Sequence, residues 1–292
     1  MFSLKTVLLP TDFSPCAKDV AAHATELARH FHAKLALLYV FPPLNPAWAA
    51  MGGGGTVLDE VLDNQRDLAR KQLDSFLQPE LDGFNVSRVL LEGDPADAIV
   101  QYAHANDVSL IMMPTRGCGP LRRLILGSVT EKVLHHAKCP VWTGVHIVEP
   151  AAGVPFGVRR VVCAVGVTPR SAVVLRRTAE FAEKSQARLI VVHAIPAFDF
   201  RPATYYSDAD MRKRTAAEAR AEIARMLEDC GPQNAEIRIE SGSVPSVVHS
   251  ITESQRADLL VMGRASTPGL FEWLRANSYA IVRESPCPVV SM

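Results

Sequence analysis

The chain has 292 residues, 48% of them hydrophobic and 21% charged, with 31 basic against 31 acidic side chains and no formal net charge. That balance leaves no electrostatic footprint for nucleic acid or for an anionic membrane surface, and no run of about 18 apolar residues reads as a membrane span. The length suits two α/β domains of about 145 residues each better than one.

In chain order, Thr6 to Leu9 reads as a short apolar strand. Asp12-Phe13-Ser14-Pro15 then opens a helix, with Ser14 as N-cap and Pro15 at the first helical position. Ala17, Val20, Ala21, Ala24, Leu27, Ala28 and Phe31 recur at helical spacing and give it one buried face. Lys34 to Val40 is a second strand. A loop holding Pro42, Pro43, Pro46 and Gly52 to Gly55 leads to a more polar, outer helix from about Thr56 to Leu77. Asn85 to Leu91 is a third strand, and Gly93-Asp94-Pro95 starts a helix capped by Asp94, with Asp97 three residues on. Val108 to Met113 is the fourth strand. A last helix lies near Gly127 to Ala137, and Pro140 to Val145 is the fifth strand. Strands alternating with helices, and strands apolar on both faces, predict a parallel, doubly wound sheet with right-handed crossovers.

The second half repeats this pattern. Asp12 matches Gly166, Ser14-Pro15 matches Thr168-Pro169 and Val40 matches Ala194, all at an offset of 154. Gly93 matches Gly242 and Pro114 matches Gly263 at an offset of 149, the difference falling in a loop and the second helix, where insertions are cheap. The expected division is a first domain over 1–146, a linker over 147–158 and a second domain over 159–292.

The chemistry concentrates where the fourth strand meets the last helix of the first half, at Met113-Pro114-Thr115-Arg116-Gly117 and, after nine residues, Gly127-Ser128. A strand, a glycine-bearing loop and a helix start make an anion site, because loop amides and the positive helix end converge there. This stretch resembles the nucleotide loop of universal stress proteins, whose pattern is G-x-x-G, nine residues, then G-[S/T]. Gly117, the spacer Cys118 to Leu126 and Gly127-Ser128 match it, and the run from Leu121 to Leu134 is similar to that family almost residue for residue. Pro114 departs from it, standing where the first glycine should be. Lacking an N–H, it deletes one loop donor.

The resemblance implies two tandem doubly wound α/β domains, each with a five-stranded parallel sheet of order 3-2-1-4-5 and helices on both faces, of the adenine nucleotide alpha-hydrolase-like kind. It also implies ATP or a related adenine nucleotide, with Mg2+, in the first domain. Pro10, Thr11 and Asp12 would belong to the nucleotide site, Asp12 reaching the ribose or adenine side, and Val40 would offer backbone groups to the adenine edge. Met113, Thr115 and Arg116 would belong to the same nucleotide site, with Gly117, Gly127, Ser128 and the amides of Val129 and Thr130 at the phosphates. For Asp12 the alternative is an acid that only caps the following helix, and for Val40 a plain core valine.

In the second half Gly166 replaces the acid, and Ser266 replaces the second loop glycine. The nine-residue spacer leads to Ala276-Asn277 instead of Gly-Ser, with Asn277-Ser278 as a rival alignment. No ordinary nucleotide site is expected there. No catalytic residue and no metal cluster stands out: His135, His136 and Cys139 read as packing residues, and Gly52 to Gly55 lacks the Gly-Lys-[Ser/Thr] of a phosphate-binding loop. Six cysteines without a C-x-x-C pair suggest free thiols and, with an N-terminus that lacks a signal-peptide layout, a cytoplasmic protein. Cys118, inside the anion loop, is a candidate reactive thiol.

The leading expectation is a stress-response regulator or protective protein that binds adenine nucleotide, at most a slow ATPase. A nucleotide-free scaffold and an adenylate-transferring enzyme are the rivals. The sheet-edge strands allow an intramolecular pseudo-dimer of the two halves or a homodimer.

Overall fold

The computed structural model describes residues 4–43, 56–115, 126–144, 157–195, 208–229, 235–264 and 272–292. They fall into two units that divide near residue 142.

In the first unit the strands are β1 (Thr6–Pro10), β2 (Lys34–Phe41), β3 (Val86–Glu92), β4 (Leu110–Met113) and β5 (Val141–Thr143). They lie in the order β3-β2-β1-β4-β5, the arrangement expected. Four helices alternate with them: α1 (Pro15–Phe31), α2 (Thr56–Ser75), α3 (Pro95–Ala105) and α4 (Ser128–His136). The β1–β2, β1–β4 and β2–β3 pairs are all parallel. β4 is buried along its whole length, and Leu8, Leu35, Leu37, Leu38 and Ile111 form the layer under the helices. Burying each such side chain fully contributes about 1.5–3 kcal/mol. α1 turns Ala17, Val20, Ala21, Ala24, Leu27 and Ala28 inward, as its spacing predicts; Phe31 stays half-buried. Ser14 caps α1 by accepting from the Ala17 N–H, and Asp94 caps α3 by accepting from Ala96 and Asp97.

The second unit repeats the first with β6 (Arg160–Ala164), β7 (Arg188–Ile195), β8 (Glu236–Ser241), β9 (Leu259–Met262) and β10 (Val289–Ser291). Its order is β8-β7-β6-β9-β10. The helices are α5 (Pro169–Lys184), α6 (Asp208–Glu228), α7 (Val244–Ser254) and α8 (Glu272–Glu284). The repeat extends to individual hydrogen bonds. Thr11 N–H donates to the Leu38 carbonyl at 2.8 Å and Val165 N–H to Val192 at 3.0 Å; Gly93 N–H donates to Phe41 at 3.1 Å and Gly242 N–H to Ile195 at 2.9 Å. α5 departs from its counterpart at the cap, because the Thr168 hydroxyl pairs with Ser171 Oγ at 2.9 Å and not with a backbone amide.

Among the described residues no helix is long and apolar enough to cross a membrane.

Candidate functional site

β1 and β4 are neighbours whose crossovers lead away in opposite directions, β1 to β2 and β4 to β5. The crevice at their carboxyl ends is therefore the topological switch point at which open α/β sheets receive ligands. Most of the residues singled out by sequence end here.

On the β1 side, Pro10 closes the strand opposite Leu38. Thr11 is buried, and its hydroxyl oxygen accepts from the Phe13 N–H at 3.0 Å, so its side chain serves the turn itself. Asp12 is exposed. One carboxylate oxygen accepts from the Ser14 N–H at 3.0 Å, which makes a turn ahead of the helix. The second oxygen has no hydrogen bond among the described residues. One oxygen thus serves the turn that leads into α1, the local role weighed for this acid.

Val40 presents a different kind of group. Its side chain is buried at 7% exposure, so only its backbone can meet a ligand. β2 pairs with β3 as far as Phe41 and Glu92, and the Phe41 carbonyl points to that side, accepting from Gly93. Successive peptides alternate in direction, so the Val40 N–H and C=O point toward β1, as those of Leu38 do. β1 has already ended at Pro10. A donor and an acceptor are left side by side on an open strand edge, which suits the edge of a heterocyclic base.

On the β4 side, Met113 is buried at 5% exposure and contributes no side chain to the crevice. Two bonds clasp the strand exit to the start of α4: Gly127 N–H donates to the Thr115 carbonyl at 2.9 Å, and the Thr130 hydroxyl donates to the Pro114 carbonyl at 3.0 Å. Gly127 is the N-cap of α4, extended at φ −65° and ψ 139°, and carries no side chain to cover the helix end. Glu131 is the first residue whose N–H returns to the turn, reaching the Gly127 carbonyl at 2.8 Å. The N–H groups of Ser128, Val129 and Thr130 have no acceptor among the described residues. Three amides with no acceptor among the described residues, at the positive end of a nine-residue helix, are the kind of groups toward which an anion is drawn. Arg116, Gly117 and Cys118, with Arg122, Arg123 and Gly52 to Gly55, lie outside the described residues.

Next to the crevice, the Asp94 carboxyl is held below its usual range, first by the Asp97 N–H and further by Lys132, whose ammonium lies 3.3 Å away. The Cys287 thiol is pushed up to about 12, chiefly by burial. Cys139, Cys163 and Cys287 are free thiols, but Cys16, in the first turn of α1, is in a disulfide whose partner lies outside the described residues. That corrects the expectation of thiols throughout. Among the described residues no group of three His, Cys, Asp or Glu side chains could hold a metal. Asp12 is a carboxylate at the β1 end of the crevice, and Mg2+ beside a nucleotide is held by one or two carboxylates together with phosphate oxygens.

Among the described residues, the second unit differs at the equivalent places. Gly166 leaves no carboxylate. β5 and β10 correspond at an offset of 148, which sets Arg275-Ala276 against Gly127-Ser128 and replaces both sequence alignments by a shift of one or two residues. α8 begins at Glu272, four residues before that point. The amide of Ala276 therefore lies one turn inside the helix, where an N–H is spent on the carbonyl four residues back. What survives is the strand edge at Ala194, beside which His193 Nδ1 lies 2.9 Å from the Val165 carbonyl.

Sequence reasoning missed two features of the first unit: the Thr115–Gly127 clasp and an aromatic group of Phe13, Tyr39 and Phe76. The last carried a signal, since all three are large rings flanking predicted strand or helix ends.

The universal stress protein family model matches residues 3–143 and again 157–291. A universal stress protein of Methanocaldococcus jannaschii is 32% identical over 137 residues, covering 47% of this chain and 79% of that protein. One of Thermus aquaticus is 36% identical over 138 residues, covering 47% of this chain and 96% of that protein. The crystal structure of a universal stress protein from Archaeoglobus fulgidus aligns over 99% of this chain and 96% of its own with a TM-score of 0.68, at 22% identity, a likeness of fold.

Proposed function

The chain belongs to the universal stress protein family, with the family unit present twice, and from that premise we propose that its first domain binds ATP or a related adenine nucleotide while its second does not. One placement supports the reading: β4, which leads to the amides of Ser128, Val129 and Thr130, with no acceptor among the described residues, pairs with β1, which leads to Asp12 and lies beside the β2 edge at Val40. The base would meet the Val40 peptide, the free Asp12 oxygen would reach a ribose hydroxyl, and the phosphates would take the helix end with Thr115, Arg116 and Gly117. Bound nucleotide would supply a charged, Mg2+-bearing group for partner recognition. Asp12 is engaged by Ser14 and assigned here to the ribose, which favours a regulatory or protective role over catalysis.

We further propose that the two domains stand in for the two chains of a single-domain relative's dimer, and that the protein works in the cytoplasm. Three free thiols agree with that setting and the Cys16 disulfide does not, so a thiol count on protein from reduced lysate tests it. A nucleotide-free scaffold is the second reading. Pro114 favours it, being a residue without an N–H at the loop entrance. Equilibrium dialysis with ATP separates the two. The proposal expects saturable binding that Asp12→Asn weakens, and absence of binding by the wild type would leave the scaffold.

A further inference from the structure

The turn that carries Asp12 holds an unusual backbone conformation. Phe13 has φ 61°, in the left-handed region that a bulky L-residue rarely enters. The other five non-glycine residues with positive φ among the described residues, His32, Leu77, Asp107, Gln186 and Arg256, all follow helix ends, where that conformation is the ordinary exit. Phe13 precedes a helix.

Its conformation is what lets the turn close twice, with Phe13 N–H on Thr11 Oγ1 and Ser14 N–H on Asp12 Oδ1, each at 3.0 Å. The ring then packs on two neighbours. Tyr39 of β2 is tilted against it with centroids 4.5 Å apart, and Phe76, 8% exposed, meets it edge-on at 5.3 Å. Tyr39 adjoins Val40, so one aromatic group ties the acid-bearing turn to the open strand edge. The second unit serves as an internal control. Val167 occupies Phe13's place, has no positive φ and is 43% exposed, and Gly166 occupies the place of Asp12. The locked turn and the acid are present together in one domain and missing together in the other.

We propose that Phe13 is a positioning residue: its ring, held by Tyr39 and Phe76, fixes the left-handed turn that aims the Asp12 carboxylate into the crevice. The role toward nucleotide rests on the function proposed above; the role toward Asp12 does not. The first measurement therefore needs no ligand. Amide hydrogen exchange at Ser14 in the full-length protein reports the Asp12 bond, and Phe13→Ala should speed it about tenfold or more while Phe13→Tyr, which keeps the ring, should leave it slow. The second is ATP affinity in a double-mutant cycle. Phe13→Ala should weaken binding roughly tenfold when Asp12 is present and less than about twofold beside Asp12→Asn. Unchanged exchange at Ser14, or equal affinity loss in both backgrounds, overturns the proposal. If the wild type binds no ATP, the nucleotide reading falls and the exchange rates alone decide on Phe13. Should Phe13→Ala unfold, Tyr39→Leu removes one of the two ring contacts and must show the same exchange increase.

Discussion

Ser128→Pro removes one amide from the helix end without removing the helix. Proline is at home at the first position of a helix, where the N–H has no partner within it, and the residue before a proline prefers extended backbone. Gly127 already has that backbone, at φ −65° and ψ 139°. The substitution therefore deletes the N–H and the hydroxyl of Ser128 while matching the local geometry. A hydrogen bond to a charged group is worth about 1.5–3 kcal/mol, so loss of the amide alone should weaken ATP roughly ten- to a hundredfold. Calorimetric titration with ATP, and with adenosine as a ligand lacking phosphate, reads the effect directly. The reasoning expects the loss for ATP only, with the melting temperature of the protein unchanged. An ATP affinity equal to that of the wild type, or an equal loss for adenosine, would refute the placement of phosphate at the start of α4.

Other expectations follow from the fold. Asp94→Ala removes the α3 cap and should lower stability by about 1 kcal/mol, read by urea unfolding; the exposed Lys132 pair adds little to that. Burial lowers the His23 pKa below 6.5, outweighing the Asp19 carbonyl and the Glu26 and Asp19 charges. The unfolded chain thus takes up a proton at His23 more readily than the folded one, so this residue is neutral to stability above pH 6.5 and costs stability as pH falls below it. His23→Gln should make unfolding curves at pH 5.5 and 7.5 differ less than in the wild type; an unchanged difference would contradict the assignment. With its pKa near 12, the Cys287 thiol should resist alkylation at pH 8 until denaturant exposes it, as mapped by mass spectrometry.

Much of this architecture is written in the chain because buried parallel strands leave unbroken apolar runs and because Ser14-Pro15 and Asp94-Pro95 mark helix starts. Boundaries shifted where tertiary bonds decide them. Val108 extends the apolar run of β4, yet its N–H returns to Ala103 at the end of α3 and Asp107 before it is left-handed, so the residue belongs to the helix exit. The amides at Ser128 to Thr130 were legible because a glycine and a serine before a helix predict uncovered donors. The Val40 edge was not visible from composition, since a backbone contact leaves any buried side chain possible; it came from the family resemblance and then from strand register. The left-handed backbone of Phe13 leaves no mark in the sequence, because nothing in an aromatic residue announces positive φ. The early start of α8 could have been anticipated. Glu272-Trp273-Leu274-Arg275 contains no glycine or proline to hold the helix back, unlike the stretch before Ser128.

The most direct measurement is the number of nucleotides held per chain, obtained by native mass spectrometry of the full-length protein across an ATP titration. The unclaimed helix end in one domain, and its absorption into α8 in the other, predict saturation at one ATP per chain. A plateau at two, or no bound nucleotide at any concentration, would contradict the division of labour between the two halves.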